Sequence, residues 1–161
     1  MATLTVTVKE AITLNNIDYG SERSLDISSV NEITKRVVTA STTECGLIGF
    51  ISAISGVGVT ANKVGYVAGI FDNGDVRYIR ITNLDSSNYI TLTFRDENNT
   101  EVRLKVDAGH SFIYPGDNSG GVADTMKAAG SALASGLADL TDITGDADTA
   151  ACDVEVFVAS A

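Results

Sequence analysis

At the start of the chain Leu4, Val6 and Val8 alternate with Thr3, Thr5 and Thr7. A period of two with a threonine-lined outer face predicts a half-buried strand. A second short strand is expected over 11–14, ended by a turn at Asn15-Asn16. Residues 22–28 and 31–40 also read as extended, the latter with Ile33, Val37 and Val38 beside Lys35 and Arg36. From 45 to 54 the chain is nearly all apolar (Leu47, Ile48, Phe50, Ile51, Ile54), which predicts a strand covered on both faces.

Two hairpins are expected in the middle. In the first, strands over 64–71 and 76–82 flank Asp72-Asn73-Gly74-Asp75, where Asn-Gly supplies the positive φ angles of a two-residue turn. In the second, Ile90, Leu92 and Phe94 alternate with Thr91, Thr93 and Arg95; on the return leg Val102, Leu104 and Val106 point inward and Glu101, Arg103 and Lys105 outward. Opposite charges on that outer face would pair across the strands. A strand over 110–114 is stopped by Pro115-Gly116-Asp117, and 116–121 reads as a loop. Beyond it Met126, Leu133, Leu137 and Leu140 recur at helical spacing, but Gly130 and Gly136 each cost about 1 kcal/mol in a helix. A short helix and a long loop near 122–140 stay equally open. Val154, Val156 and Val158 alternate in a closing strand.

Eight to ten strands joined by turns, without alternating helices, argue against a parallel α/β sheet. Val, Ile and Thr number 16, 13 and 17 of 161 residues, side chains that suit a pleated surface better than a helix. The expected fold is all-β: an antiparallel two-sheet sandwich of jelly-roll type, one domain over 1–161. Within it, 119–150 is expected as a Gly/Ala/Asp-rich loop or arm; its Gly/Ala/Ser-rich part, 119–136, is either a plain surface loop or an arm whose small residues let it lie against a neighbouring copy.

Charge narrows the partners. The net charge is −10, and residues 122–161 hold seven acidic groups against one basic group. A nucleic-acid partner is not expected, because phosphate contact needs a basic stripe. A membrane partner is not expected either, since no apolar run approaches the roughly 18–20 residues of a spanning helix. The N-terminus lacks the basic start and long apolar core of a signal peptide, so folding in a cytoplasm is expected.

The chemistry is sparse, and no catalytic, cofactor-binding or metal-binding residue is assigned. His110 is the one histidine, in Ala108-Gly109-His110-Ser111-Phe112. A dyad with Ser111 is disfavoured because strand neighbours point to opposite faces, and no Gly-x-Ser-x-Gly elbow is present. Gly56-Val57-Gly58-Val59 lacks the third glycine and the βαβ setting of a dinucleotide loop. Asp139, Asp142, Asp146, Asp148 and Asp153 have carboxylates for calcium but not EF-hand spacing, and a solvated acidic surface explains them better. Asp72 with Asp75, and Asp96 with Glu97, read as turn residues rather than a glycosidase pair. Cys45 and Cys152 fit no metal-ligand spacing; a bridge between them and two free thiols both remain open.

Over 76–115 the text resembles a known group. Val76-Arg77-Tyr78-Ile79-Arg80-Ile81-Thr82-Asn83-Leu84-Asp85, Asn88-Tyr89-Ile90-Thr91-Leu92 and Asp107-Ala108-Gly109-His110-Ser111-Phe112-Ile113 resemble small structural proteins of tailed bacteriophages, especially marine and cyanobacterial ones. In these an I-x-N-x-D turn leads to a hairpin and a G-x-S-F strand. An acidic tail ends in a D-V-E-V-F-V-like strand, here residues 153–158. The likeness covers about half of the chain and its motifs are short. It implies a non-enzymatic virion component made in the host cytoplasm, a homo-oligomer that contacts the major capsid protein or other virion proteins. A head decoration or cement protein is favoured over a fibre, baseplate or adaptor component, since the heptads of a fibre stalk are lacking. A carbohydrate- or receptor-binding sandwich is the alternative, poorly equipped with no Trp and five Tyr.

Overall fold

The computed structural model describes residues 1–51, 65–96, 101–114 and 140–161. They form thirteen strands: β1 (Ala2–Glu10), β2 (Thr13–Leu14), β3 (Ile17–Asp18), β4 (Ser21–Val30), β5 (Glu32–Ala40), β6 (Cys45–Ile51), β7 (Gly69–Asp72), β8 (Val76–Asn83), β9 (Ile90–Asp96), β10 (Glu101–Val106), β11 (Ser111–Tyr114), β12 (Leu140–Ala147) and β13 (Cys152–Ser160). Among the described residues no helix is long and apolar enough to cross a membrane.

The body is an all-β sandwich. One sheet runs β10-β9-β12-β6-β7 and the other β11-β8-β13-β5. Without β7, the order is that of a long antiparallel hairpin, with pairs β5/β13, β6/β12, β8/β11 and β9/β10, wrapped so that alternate pairs fall in opposite sheets. This is the jelly-roll arrangement the sequence predicts. Between the sheets lies one core holding Leu47, Ile48, Ile79, Ile81, Ile90, Leu92, Ile143, Val154, Val156 and Val158, all fully buried. The three closing valines supply the inward side of β13, which pairs with both β5 and β8. Phe112 and Tyr114 stack on each other and Phe94 packs tilted against both at the β9–β11 end.

Three expectations change. The Asp72–Asp75 turn does not close a hairpin. Its Asp72 carboxylate accepts from the Gly74 N–H at 2.9 Å and its carbonyl from the Asp75 N–H at 3.1 Å, and neither Asn73 nor Gly74 has a positive φ. The turn therefore carries the chain across from β7 in one sheet to β8 in the other, and β7 pairs with β6 in parallel. The positive-φ pair is Asn15-Asn16 (φ 52° and 63°), a two-residue turn joining β2 to β3. Last, the loop or arm expected over 119–150 ends in β12, a central strand between β9 and β6. Leu140 begins that strand instead of closing a helical stripe. The other members of that stripe, Met126, Leu133 and Leu137, lie outside the described residues, as do 97–100, Pro115-Gly116-Asp117 and the rest of the arm over 119–139.

The first thirty residues stand apart as a two-stranded ribbon of β1 and β4, capped by the β2–β3 hairpin. Only its base is buried: Ile27 and Val30, with Leu4 and Val6 beside them, pack on Tyr78, Phe157 and Ala159 of the outer face of the four-stranded sheet. Beyond that base both strands are exposed.

Candidate functional site

The ribbon has two chemically distinct faces. On one, Thr5 donates to Asp26 at 2.8 Å, the Thr7 and Ser24 hydroxyls pair at 2.9 Å, and Lys9 meets Glu22 at 3.4 Å. On the other, the rows Leu4/Ile27, Val6/Leu25 and Val8/Arg23 follow one another. The apolar stripe starts in the body contact and runs out into solvent, where Val8 and Leu25 are 48% and 40% exposed.

The tip continues the pattern. Leu14 pairs with Ile17, and the Tyr19 N–H donates to the Ile12 carbonyl at 3.0 Å. Strand alternation places all four side chains on one face, with Thr13 and Asp18 on the other. Ile12, Leu14, Ile17 and Tyr19 are each 54–59% exposed. The neck is pinned by the Asp18 carboxylate, which accepts from the Gly20 N–H at 2.8 Å, and by the Ser21 hydroxyl on the Glu10 carboxylate. A Cβ at Gly20 would stand 2.8 Å from the Glu10 carbonyl, so the neck closes tightly only around glycine. The tip is thus a four-residue apolar platform carried on a hydrogen-bonded stalk. Sequence reading found the strand and the turn but missed the platform; the signal was the spacing Ile12, Leu14, Ile17, Tyr19 about Asn15-Asn16.

The densest polar cluster lies on the outer face of the five-stranded sheet. Arg95 reaches Glu44 at 2.7 Å, Glu101 at 2.8 Å and Asp142 at 3.1 Å. Asp142 is 2% exposed and also accepts from the Tyr66 hydroxyl at 3.1 Å. Thr144 donates to Glu44 at 2.7 Å, and Arg103 pairs with Asp146 at 3.0 Å. Burial pushes the Asp142 carboxyl up, against the pull of Arg95. The Tyr66 phenol is pushed up to about 12 by burial and by the Asp142 charge, so it serves as a hydrogen-bond donor. Each carboxylate around Arg95 is spent on that guanidinium, which makes the cluster a fastening of β9, β10, β12 and the approach to β6.

The ring of Tyr66 lies against Gly49, where a Cβ would meet its atoms at 2.6 and 2.7 Å. Gly49→Ala is expected to displace the ring, break the Tyr66–Asp142 hydrogen bond and destabilise the fold by about 1–3 kcal/mol. Urea unfolding checks this; a loss below about 0.5 kcal/mol would show that the ring moves freely.

The residues singled out from sequence do not converge. His110 is exposed, and its Nδ1 lies 2.9 Å from the Ala108 carbonyl oxygen. Asp146 meets Arg103, Asp153 accepts from Thr39 at 2.9 Å, and Asp142 is buried against Arg95. Asp142 thus corrects the expectation of a solvated acidic surface at that position. Asp139, Glu97, the Asp96 side chain and Gly56-Val57-Gly58-Val59 lie outside the described residues. Among the described residues no group of three His, Cys, Asp or Glu side chains is placed to hold a metal. Both cysteines are free thiols, Cys45 on β6 and Cys152 on β13. Cys152 donates to the Ala150 carbonyl at 3.4 Å, and burial raises its pKa.

The I-x-N-x-D motif has a structural role. Asn83 is fully buried, and its amide donates to the Asn88 carbonyl at 2.8 Å and to the Val106 carbonyl at 3.2 Å. Its side-chain oxygen accepts from the Asp85 N–H at 3.0 Å. The Asp85 carboxylate then accepts from the Ser87 and Asn88 N–H groups, both at 2.7 Å. The backbone of Asn83 also bonds to His110 and Gly109, so one side chain and its peptide groups tie β8, β10 and β11 together.

Several carboxyls sit below their usual range: Glu44 through Thr144 and Arg95, Asp85 through the backbone N–H groups of Asn88 and Ser87, Asp107 through Lys105, and Glu155 through Lys35. A carboxyl depressed in the folded state stabilises the fold above its unfolded pKa, and that stability is lost as pH falls through the folded value. Asp142, raised, acts in the opposite sense. With four lowered groups against one, thermal unfolding is expected to show a plateau at neutral pH and a falling Tm below about pH 4. A Tm that rises on acidification would show that Asp142 dominates.

Comparison with protein-family models, with curated proteins and with solved structures finds no match.

Proposed function

We propose that this chain is a non-enzymatic structural protein of a tailed-bacteriophage virion, most simply a decoration or cement protein that stabilises the head through protein–protein contacts. The observation that carries the reading is the projecting ribbon with its four-residue apolar tip, an arm suited to reach a neighbouring subunit. Two further features support it. The body is a jelly roll, an architecture that recurs in viral coat proteins as well as in lectins and cupins. The motif residues of the phage-like text act in this fold as a lock on the loop end of the sandwich, as Asn83 does. Fold alone does not assign function, so the reading stands on the arm and the resemblance together.

Immunogold electron microscopy of purified particles of the encoding phage tests it. Label over heads is expected. Label over tails would move the protein to a fibre, baseplate or adaptor position. Intact particles without label would overturn the virion reading and bring glycan binding forward, to be checked on a glycan array.

A further inference from the structure

Each sheet of the body ends in two edge strands, and three of these four are guarded against further pairing. β7 and β11 hold only four residues each. On β5, Arg36 stands opposite the buried Val156, so a charge occupies the inward face of that edge. β10 has none of these devices. It is six residues long, and among the described residues it pairs with β9 alone. Val102 and Leu104 stand opposite Phe94 and Leu92 of the core, so both face inward. They are nonetheless 45% and 38% exposed, and as residues i and i+2 they are adjacent on that face. Glu101, Arg103 and Lys105 occupy the outer face of the same strand.

We propose that β10 of one copy pairs antiparallel with β10 of a second copy about a two-fold axis at Arg103, joining the two five-stranded sheets into one. The strand selects its own copy as occupant because it is self-complementary. Run against itself about Arg103, it sets Val102 opposite Leu104 and Glu101 opposite Lys105, each twice. Apolar side chains meet on the inner face and opposite charges on the outer one. A shift of two residues one way opposes Arg103 to Lys105; the other way, Leu104 and Lys105 find no partner within the strand. The one like pair is Arg103 with its copy, and each brings Asp146, 3.0 Å from its guanidinium, to offset it. Glu101 also holds Arg95 and Lys105 holds Asp107, so each cross-copy pair extends an existing ion pair. The remaining acids of that face, Glu44 and Asp142, are held by Arg95. The contact is isologous and closes at a dimer. With −10 on each copy and one short strand at the seam, the dimer belongs to the weak, transient class, with Kd expected between about 10 μM and 1 mM. It follows from the edge alone and does not rest on the virion reading.

Sedimentation equilibrium of the full chain at about 0.15 M salt, up to about 1 mM protein, tests the pairing. The wild type is expected to approach twice the monomer mass and go no further. Leu104→Lys puts a charge on the inner face and is expected to weaken the dimer at least about tenfold. Lys105→Glu opposes carboxylates across the axis, and Glu101→Lys opposes ammonium groups. Each alone is expected to weaken self-association about tenfold. Mixed, these two variants meet acid to base at both positions, and the mixture is expected to regain wild-type association as a heterodimer. All three sites are exposed, and unchanged circular dichroism verifies that the variants fold. A wild type that stays monomeric, or a mixture of the charge variants that stays apart, would overturn the inference. Association that survives Leu104→Lys would place the contact on another surface and overturn it as well. Phage particles without label would overturn the virion reading and leave this dimer standing.

Discussion

Arg95→Ala is expected to destabilise the protein by about 3–5 kcal/mol, the usual cost of removing one partner of a buried ion pair. Its guanidinium is the only cation within salt-bridge distance of Asp142 among the described residues, and the Asp142 side chain is 2% exposed. With Arg95 gone, Asp142 keeps, among the side chains of the described residues, only the Tyr66 hydroxyl, and the like charges of Glu44 and Glu101 lose the group that holds them together. For a chain of this size the loss corresponds to a fall in Tm of the order of 10 °C. Arg95→Lys keeps the charge but cannot reach three carboxylates with a planar fork, so an intermediate loss is expected. The double variant Arg95→Met with Asp142→Leu should cost less than the sum of its parts, since no charge is left buried. Urea unfolding gives these values. A loss for Arg95→Ala within about 0.5 kcal/mol would mean that the cluster behaves as solvated surface charge.

Asn83→Ala is expected to cost about 2–4 kcal/mol. The side chain is fully buried, and its loss leaves the Asn88 and Val106 carbonyls without their amide donor and the Asp85 N–H without its acceptor. Asn83→Asp discriminates the cause. It preserves shape and the acceptor, yet places a carboxylate against two carbonyl oxygens, so it should destabilise at least as much as Ala. A tolerated Asp would show that the acceptor to Asp85 matters and the two donated bonds do not. In either case the denaturation midpoint should fall while the slope stays constant, as expected for a loss of native stability alone.

These two positions mark where local pattern and tertiary structure part. The Leu140–Ala147 segment reads Leu-Thr-Asp-Ile-Thr-Gly-Asp-Ala, a poor strand by composition with acids that favour water. It sits in mid-sheet because Arg95, 47 residues earlier in the chain, arrives opposite Asp142 and neutralises it. No local signal announces such a pairing. The Asn73-Gly74 turn departs from the expected hairpin for a related reason. A turn dipeptide says that the chain reverses, and only the positions of β6 and β13 decide whether the next strand joins the same sheet or the opposite one.

By itself the sequence determined the strands whose apolar and polar residues alternate, the hairpin from Ile90 to Val106 with its Arg95–Glu101 pair, and the buried valines of β13. Those follow from a period of two, which is a local property of the backbone. It also carried enough β-branched residues to favour two packed sheets. The tertiary structure alone decided the jelly-roll order, the placement of Asp142 and the exposure of the ribbon. Leu4, Val6 and Val8 are equivalent in sequence, yet Leu4 and Val6 pack on the body while Val8 faces solvent. The difference is how far the four-stranded sheet reaches beneath the ribbon. A pattern of apolar residues states which face of a strand is to be covered; the extent of the neighbouring sheet decides which of them the chain covers and which it leaves exposed.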